Sequence, residues 1–191
     1  MAEGITQRKL KMPKSKVLVT YSSGYGATKE VAEEVAKIIS NHSEFQVNLE
    51  NIDNCSIINE YDAIIMGSSV RADRPLANTR DFIAEHRYEL TEKQVALFVV
   101  SITASTEKGV DVAKSELSTH LIDRYPWISP ISIAAFGGKI NFDKLNPVMQ
   151  SLVRNVMKEK GVSSNGSFDA RNWQDIRSWA EQVAFKLKEK S

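Results

Sequence analysis

Short, almost unbroken apolar runs alternate along this chain with stretches of helical period. Residues 16–21 (KVLVTY) are rich in β-branched side chains and break off into small polar residues and two glycines, which reads as a buried strand and a loop. After the loop, Thr28, Val31, Ala32, Val35, Ala36 and Ile39 recur at helical spacing with Lys29, Glu33, Glu34 and Lys37 between them. That is the pattern of an amphipathic helix laid on a sheet. The alternation continues through strands at 45–50 and 62–67, a helix at about 76–86, a strand at 94–100, a helix at about 107–124 and a fifth strand at 131–136. A run such as Ala63-Ile64-Ile65-Met66 has no polar face, so its sheet must be covered on both sides. The fold class is therefore α/β, a doubly wound sheet with helices on both faces. The last helix is expected from Asn172, whose side chain can cap it with Asp175 three residues on. Trp173, Ile176, Trp179, Ala180, Val183 and Leu187 form its inward stripe.

Composition narrows the function classes. A chain of 191 residues that is 42% hydrophobic suits one domain, at 16–191, behind a basic tail at 1–15 carrying Arg8, Lys9, Lys11 and Lys14. No long apolar run follows the tail, so it reads as neither a signal peptide nor a membrane span. With 25 basic and 24 acidic residues the net charge is +1, and no overall field selects nucleic acid. The one cysteine, Cys55, can form no intramolecular disulfide and reads as a small buried apolar residue, in keeping with a cytoplasmic chain. No Cys/His spacing suggests a metal site, and His42, His86 and His120 stand singly in polar contexts expected to be solvated. Ser22 and Ser23 lie outside any G-x-S-x-G elbow, so no catalytic acid, base or nucleophile is assigned.

In an open α/β sheet, ligands bind beyond the carboxyl ends of the strands. Three loops leave such ends. The first, Ser22-Ser23-Gly24-Tyr25-Gly26-Ala27-Thr28, offers small side chains, hydroxyls and backbone N–H groups at a helix N-terminus, an anion cradle in composition and position. It lacks the lysine of a Walker A loop and does not complete G-x-G-x-x-G, so a monophosphate suits it better than a triphosphate. Gly26 is expected at positive φ, where a β-branched residue would be strained and would crowd the N–H groups. The second loop, Gly67-Ser68-Ser69-Val70-Arg71, and the third, Ser101-Ile102-Thr103-Ala104-Ser105, are again small and polar.

Strand, S-S-G-Y-G-A-T, helix, and then G-S-S-V-R after the third strand resembles the flavodoxin family. More narrowly it is similar to the branch of oxygen-independent, quinone-linked protoporphyrinogen oxidases, over roughly residues 16–187 and including the Asn172-Trp173 entry to the last helix. The resemblance implies a five-stranded parallel sheet of order 2-1-3-4-5 with FMN as cofactor. Ser22, Ser23, Gly24, Tyr25, Gly26, Ala27 and Thr28 would receive its phosphate. Gly67, Ser68, Ser69, Val70 and Arg71, with Ser101, Ile102, Thr103 and Ala104, would approach the ring and ribityl chain. FMN is expected over FAD because there is one phosphate-sized cradle and no dinucleotide fingerprint. Carrier flavodoxins stack aromatics on the ring from the second and third loops. This chain has Val70 and Ile102 there, so the ring is either open to a substrate or covered from elsewhere.

Two further features bear on partners. Leu145, Val148, Met149, Leu152, Val153, Val156 and Met157 form an apolar stripe in residues 145–160, within a locally basic stretch. It reads either as a helix packed on its own domain or as a peripheral contact with the inner face of a membrane, where a quinone could be reached. The near-neutral net charge counts against a carrier that docks on basic proteins. Three functions stay open: an FMN oxidoreductase passing electrons from a reduced, protoporphyrinogen-like substrate to a quinone or similar acceptor; an electron carrier with a protein redox partner; and a cofactor-free interaction domain.

Overall fold

A computed structural model describes residues 14–159, 161–162 and 166–189; the side chain of Lys144 is outside the description. Nearly all of the expected basic tail, 1–13, lies outside the described residues.

The apolar runs become parallel strands: β1 (Ser15–Ser22), β2 (Phe45–Asn51), β3 (Ala63–Arg71), β5 (Gln94–Ser101) and β6 (Ser132–Gly137). Their order across the sheet is β2-β1-β3-β5-β6, the expected 2-1-3-4-5. One strand of this sheet was not anticipated. β4 (Arg74–Pro75) turns back on β3 antiparallel, pairing Arg71 with Arg74 and Val70 with Pro75.

The strand period of two sorts side chains between two helical layers. Val17, Val19, Ala63, Ile65, Ala96, Phe98, Val100, Ala134 and Phe136 pack against the inward stripes of α1 (Ala27–Ser40) and α6 (Trp173–Glu189). Leu18, Ile64, Met66, Val95, Leu97, Val99 and Ala135 face the other way, onto Phe82 and Ile83 of α2 (Ala77–Glu85), Leu90 of α3 (Arg87–Thr91), and Ala113 and Leu117 of α4 (Glu107–Leu117). At the centre of the first layer Phe98, Phe136 and Trp179 meet edge to face or tilted, and the Trp179 Nε1–H donates to Ser132 Oγ at 3.0 Å. Asn172 caps α6 as expected, its Oδ1 accepting from the N–H groups of Gln174 and Asp175.

The helix expected over 107–124 ends sooner. After α4 the chain widens into a π-helical turn, Ser118–Ile122, that aims Leu121 into the second layer. Beyond β6 lies a small appendage: β7 (Lys139–Ile140) pairs with β8 (Phe168–Asp169), and α5 (Pro147–Glu159) connects them. It has its own core of Phe142, Met157 and Val162.

Two of the three histidines are not simply solvated: His86 lies tilted against Phe82 with ring centroids 4.5 Å apart, and His42 bonds Glu181 at 2.8 Å.

Candidate functional site

The three loops singled out from the sequence leave the carboxyl ends of β1, β3 and β5, which are neighbours in the sheet. Registration sets Ser22 beside Ser68 and Ser69 beside Val100, so the loops open on the same edge.

Pleating gives the two serines of the second loop opposite tasks. Ser68 faces α2, where its Oγ accepts from the Leu76 N–H and from Thr79 Oγ1, both at 3.0 Å, and so holds the chain's return from β4. Ser69 faces α1, where its Oγ lies 2.7 Å from Thr28 Oγ1 and 3.4 Å from the Gly24 N–H. Ser22 follows the Ser68 pattern: its hydroxyl bonds Asn78 of α2, which in turn donates to Asp53 at 2.7 Å. Ser22 and Ser68 thus brace the floor, and Ser69 ties the second loop to the first.

The first loop is built as a cradle. Gly26 is the N-cap of α1 at φ 92, and its N–H donates to Ser23 Oγ at 3.0 Å. The left-handed backbone is the one glycine adopts without strain. A Cβ added at Gly26 would meet nothing within 4 Å, so the expected crowding of N–H groups does not arise. The space above Gly26 is open, and strain alone reserves the position for glycine. Tyr25 projects from the loop, 66% exposed. A helix N-terminus of 14 residues with small side chains and open space above its cap fits one phosphate-sized anion.

The third loop is tighter. Ser101 Oγ accepts from the Thr103 N–H at 3.0 Å, and Ala104 is buried in the second layer, leaving mainly backbone for a ligand. Ile102 departs from its neighbours by packing on the small core of the appendage. A Cβ on Gly138 would lie 3.3–3.4 Å from the Ser101 and Ile102 backbone, so this glycine lets the appendage close on the loop. Gly67 is held for another reason: a Cβ there would come 2.1 Å from Cζ of Phe98.

A half-exposed ion cluster around one buried arginine stands behind the cradle, and no pattern in the sequence marks it. Arg171, its side chain 3% exposed, donates to both carboxylate oxygens of Asp169 and to Glu30 Oε2 in the first turn of α1, and lies over the Trp173 ring at 4.6 Å. Lys139 of β7 also reaches Glu30, at 3.2 Å. Arg171 holds the Asp169 carboxyl below its ordinary pKa. Burial alone would raise that of Glu30, but hydrogen bonds from Arg171 and Lys139 outweigh it and the net direction is down. Cys55 is buried as expected, and burial pushes its thiol up to about 11, which leaves it a poor nucleophile. Among the described residues no cluster of His, Cys, Asp or Glu could hold a metal ion, and no helix is long and apolar enough to cross a membrane.

A doubly wound sheet of this strand order with a monophosphate-sized cradle after its first strand defines a flavodoxin-like class. Comparison with known proteins gives the family. The sequence matches the flavodoxin domain over residues 18–166, and the chain belongs to that family. It is 21% identical over 173 residues to protoporphyrinogen IX dehydrogenase (quinone) of Leishmania major, covering 88% of this chain and 74% of that protein. Among solved structures it is similar in fold to a short-chain flavodoxin associated with a bacterial microcompartment, with a TM-score of 0.57 at 13% identity over 91% of this chain and 99% of that one. It also resembles the rubredoxin oxygen:oxidoreductase of Desulfovibrio gigas, TM-score 0.55 at 14% identity, where 93% of this chain spans 37% of the longer protein.

Proposed function

We propose that this chain is an FMN-dependent oxidoreductase that takes an electron pair from a reduced organic donor of the protoporphyrinogen type and passes it to a quinone. The carrying observation is the join between loops: Ser69, from the strand next to β1, bonds Thr28 and the Gly24 N–H, so the cradle and the second loop form one surface. FMN supplies the two-electron chemistry when bound. The protein's part is placement. The first loop receives the phosphate at the N-terminus of α1, the Gly24 and Gly26 N–H groups being turned to Ser69 and Ser23, while Val70, Ile102 and the backbone of the third loop flank the ring. The branch assignment draws on the Leishmania major relative, whose name carries both the donor and the acceptor class. The net charge of +1 disfavours a carrier docking on basic partners.

α5 supports a peripheral membrane contact in the same reading. Its apolar stripe divides: Met157 is buried and Val153 packs inward, whereas Val148 is 77% and Leu152 54% exposed. An outward apolar row on a helix that also carries Arg154, over the Phe142 ring at 4.4 Å, and Lys158 suits an anionic surface.

The test is the absorbance spectrum of purified protein, identification of the released flavin, and steady-state turnover of protoporphyrinogen with a menaquinone analogue. Released FAD overturns the cofactor, and FMN binding without turnover returns the chain to the carrier class. Gly26→Val should weaken FMN binding, because it puts roughly 1–2 kcal/mol of left-handed strain into the cap and fills the open space above it.

A further inference from the structure

We infer that Arg71 is the counter-charge for the flavin phosphate, so that a side chain of the second loop decides how strongly the first loop prefers FMN to riboflavin. This rests on the FMN reading and goes beyond it, since sequence reasoning placed Arg71 at the ring and ribityl chain. The first loop, 22–28, contains no cationic side chain. A helix N-terminus contributes roughly half an elementary charge, and a phosphomonoester carries about −1.5 to −2 at neutral pH. Hydroxyls and N–H groups can solvate that anion but do not neutralise it.

The structure places a cation at the gap. A Cβ built on Gly24 would touch Arg71 Nη2 at 3.6 Å, so the guanidinium lies against the loop and glycine leaves it room. Pleating explains the direction: Gly67, Ser69 and Arg71 form one row on the α1 side, in which Gly67 abuts Phe98 and Ser69 already bonds Thr28 and Gly24. Arg71 is the next position along that row. Its backbone is fixed by pairing with Arg74 across a two-residue turn, Ala72 and Asp73, both at positive φ. Among the described residues no carboxylate forms an ion pair with Arg71.

Arg74 provides the control. It lies directly opposite Arg71 on the same ribbon and carries the same charge, but the contact at Gly24 belongs to Arg71. The apo-protein is titrated with FMN and with riboflavin, at low and high salt, in wild type, Arg71→Gln, Arg71→Lys and Arg74→Gln. For loss of one charge-assisted bond, Arg71→Gln should raise the FMN Kd by about 10- to 100-fold and leave the riboflavin Kd within about threefold. Arg71→Lys should keep part of the preference, and Arg74→Gln should change neither Kd by more than about threefold. Salt should weaken FMN binding in wild type more than in Arg71→Gln.

An equal loss for both flavins in Arg71→Gln overturns the inference in favour of a role at the ring or in folding. No change for either overturns it in favour of a solvated charge or a contact to the donor, which a raised KM would identify. Both of these leave the FMN reading standing. Failure of the wild-type chain to bind flavin at all overturns both.

Discussion

The two-layered core around the main sheet and the small core of the appendage are built on different principles. In the first, β-branched and aromatic side chains fill both faces of the sheet, and residues such as Val17, Leu18, Val31, Val35, Ile64, Ile65, Ile83, Val95 and Ile176 have no exposed surface at all. In the second, three of the described residues are buried, and placement depends on charges and glycines: Arg171 and Lys139 pull β7 and β8 onto α1, while Gly137 and Gly138 allow close approach to Ala170 and the third loop. Hydrophobic burial is non-directional and scales with area, so a large core tolerates local loss. A small one must be steered by bonds that have direction.

Substitutions can break this contrast. The largest effect is expected at Gly67→Ala, whose Cβ would enter the ring of Phe98 in a core already filled by Trp179 and Phe136. Overpacking there should cost about 3 kcal/mol in urea unfolding. Adding Phe98→Leu should recover at least ~1 kcal/mol relative to the sum of the single changes. Strict additivity would mean that the strand yields instead of the ring.

The next effect tests steering by charge. Arg171→Gln should cost about 2–3 kcal/mol, less than the ~3–5 kcal/mol of a fully enclosed pair, because Glu30 and Asp169 are 43% and 41% exposed. The sign with pH follows from the two lowered carboxylate pKa values. Their contribution is present above the unfolded carboxylate range, near ~4, and is lost as pH falls through the lower folded values. The gap between wild type and variant should therefore narrow in acid. A gap that stays constant with pH would show that Arg171 acts by packing on Trp173 instead.

Within α5 the contrast can be drawn on one helix. Met157→Ala should cost about 2 kcal/mol, since its side chain is 2% exposed in the small core. Val148→Ser with Leu152→Ser should stay within about 0.5 kcal/mol each, because both side chains already stand in solvent. Loss of binding to anionic vesicles in that double variant, with its unfolding temperature unchanged, supports a membrane face. Retained vesicle binding removes α5 from that role.

What the sequence made legible follows the same divide. Both helical layers and the three carboxyl-end loops were readable because each rests on apolar periodicity or on small residues at a strand end, and both signals are local; the strand order was implied only by the resemblance to the flavodoxin family, since no local pattern says which strands pair. The Asn172 cap was readable for the same reason. The split of α5 was not, because Val148 and Leu152 share a helical stripe with Val153 and Met157, and periodicity does not say which edge of a wide stripe is covered. The role of Arg171 is invisible in sequence: Asp169 stands two residues before it, but Glu30, which it shares with Lys139, lies 141 residues away, and only tertiary packing joins them. The opposite facing of Ser68 and Ser69 follows from the pleat once β3 is seen to run on to Arg71, past the end expected at Gly67.

The hairpin that extends β3 shows smaller effects than either core and joins the two regimes, since a strand of the large core ends there in a conformation that apolar pattern does not encode. A two-residue turn linking twisted antiparallel strands needs positive φ at both central positions, and asparagine or glycine normally supplies it. Here Ala72 and Asp73 stand at φ 50 and 58. Aspartate tolerates this region through local hydrogen bonding, whereas alanine is strained in it. Ala72→Asn should therefore stabilise the protein by about 0.5 kcal/mol. Ala72→Gly should gain less, because glycine also adds entropy to the unfolded chain. Ala72→Val should lose about 1 kcal/mol, as a β-branched residue fits the left-handed region worst. The functional readout runs beside the stability one: if the turn is what holds Arg71 against Gly24, Ala72→Val should lower the FMN-to-riboflavin preference in the same direction as Arg71→Gln, and Ala72→Asn should leave it intact. Loss of stability in Ala72→Val with the flavin preference unchanged would show that the guanidinium finds the first loop without the turn's help.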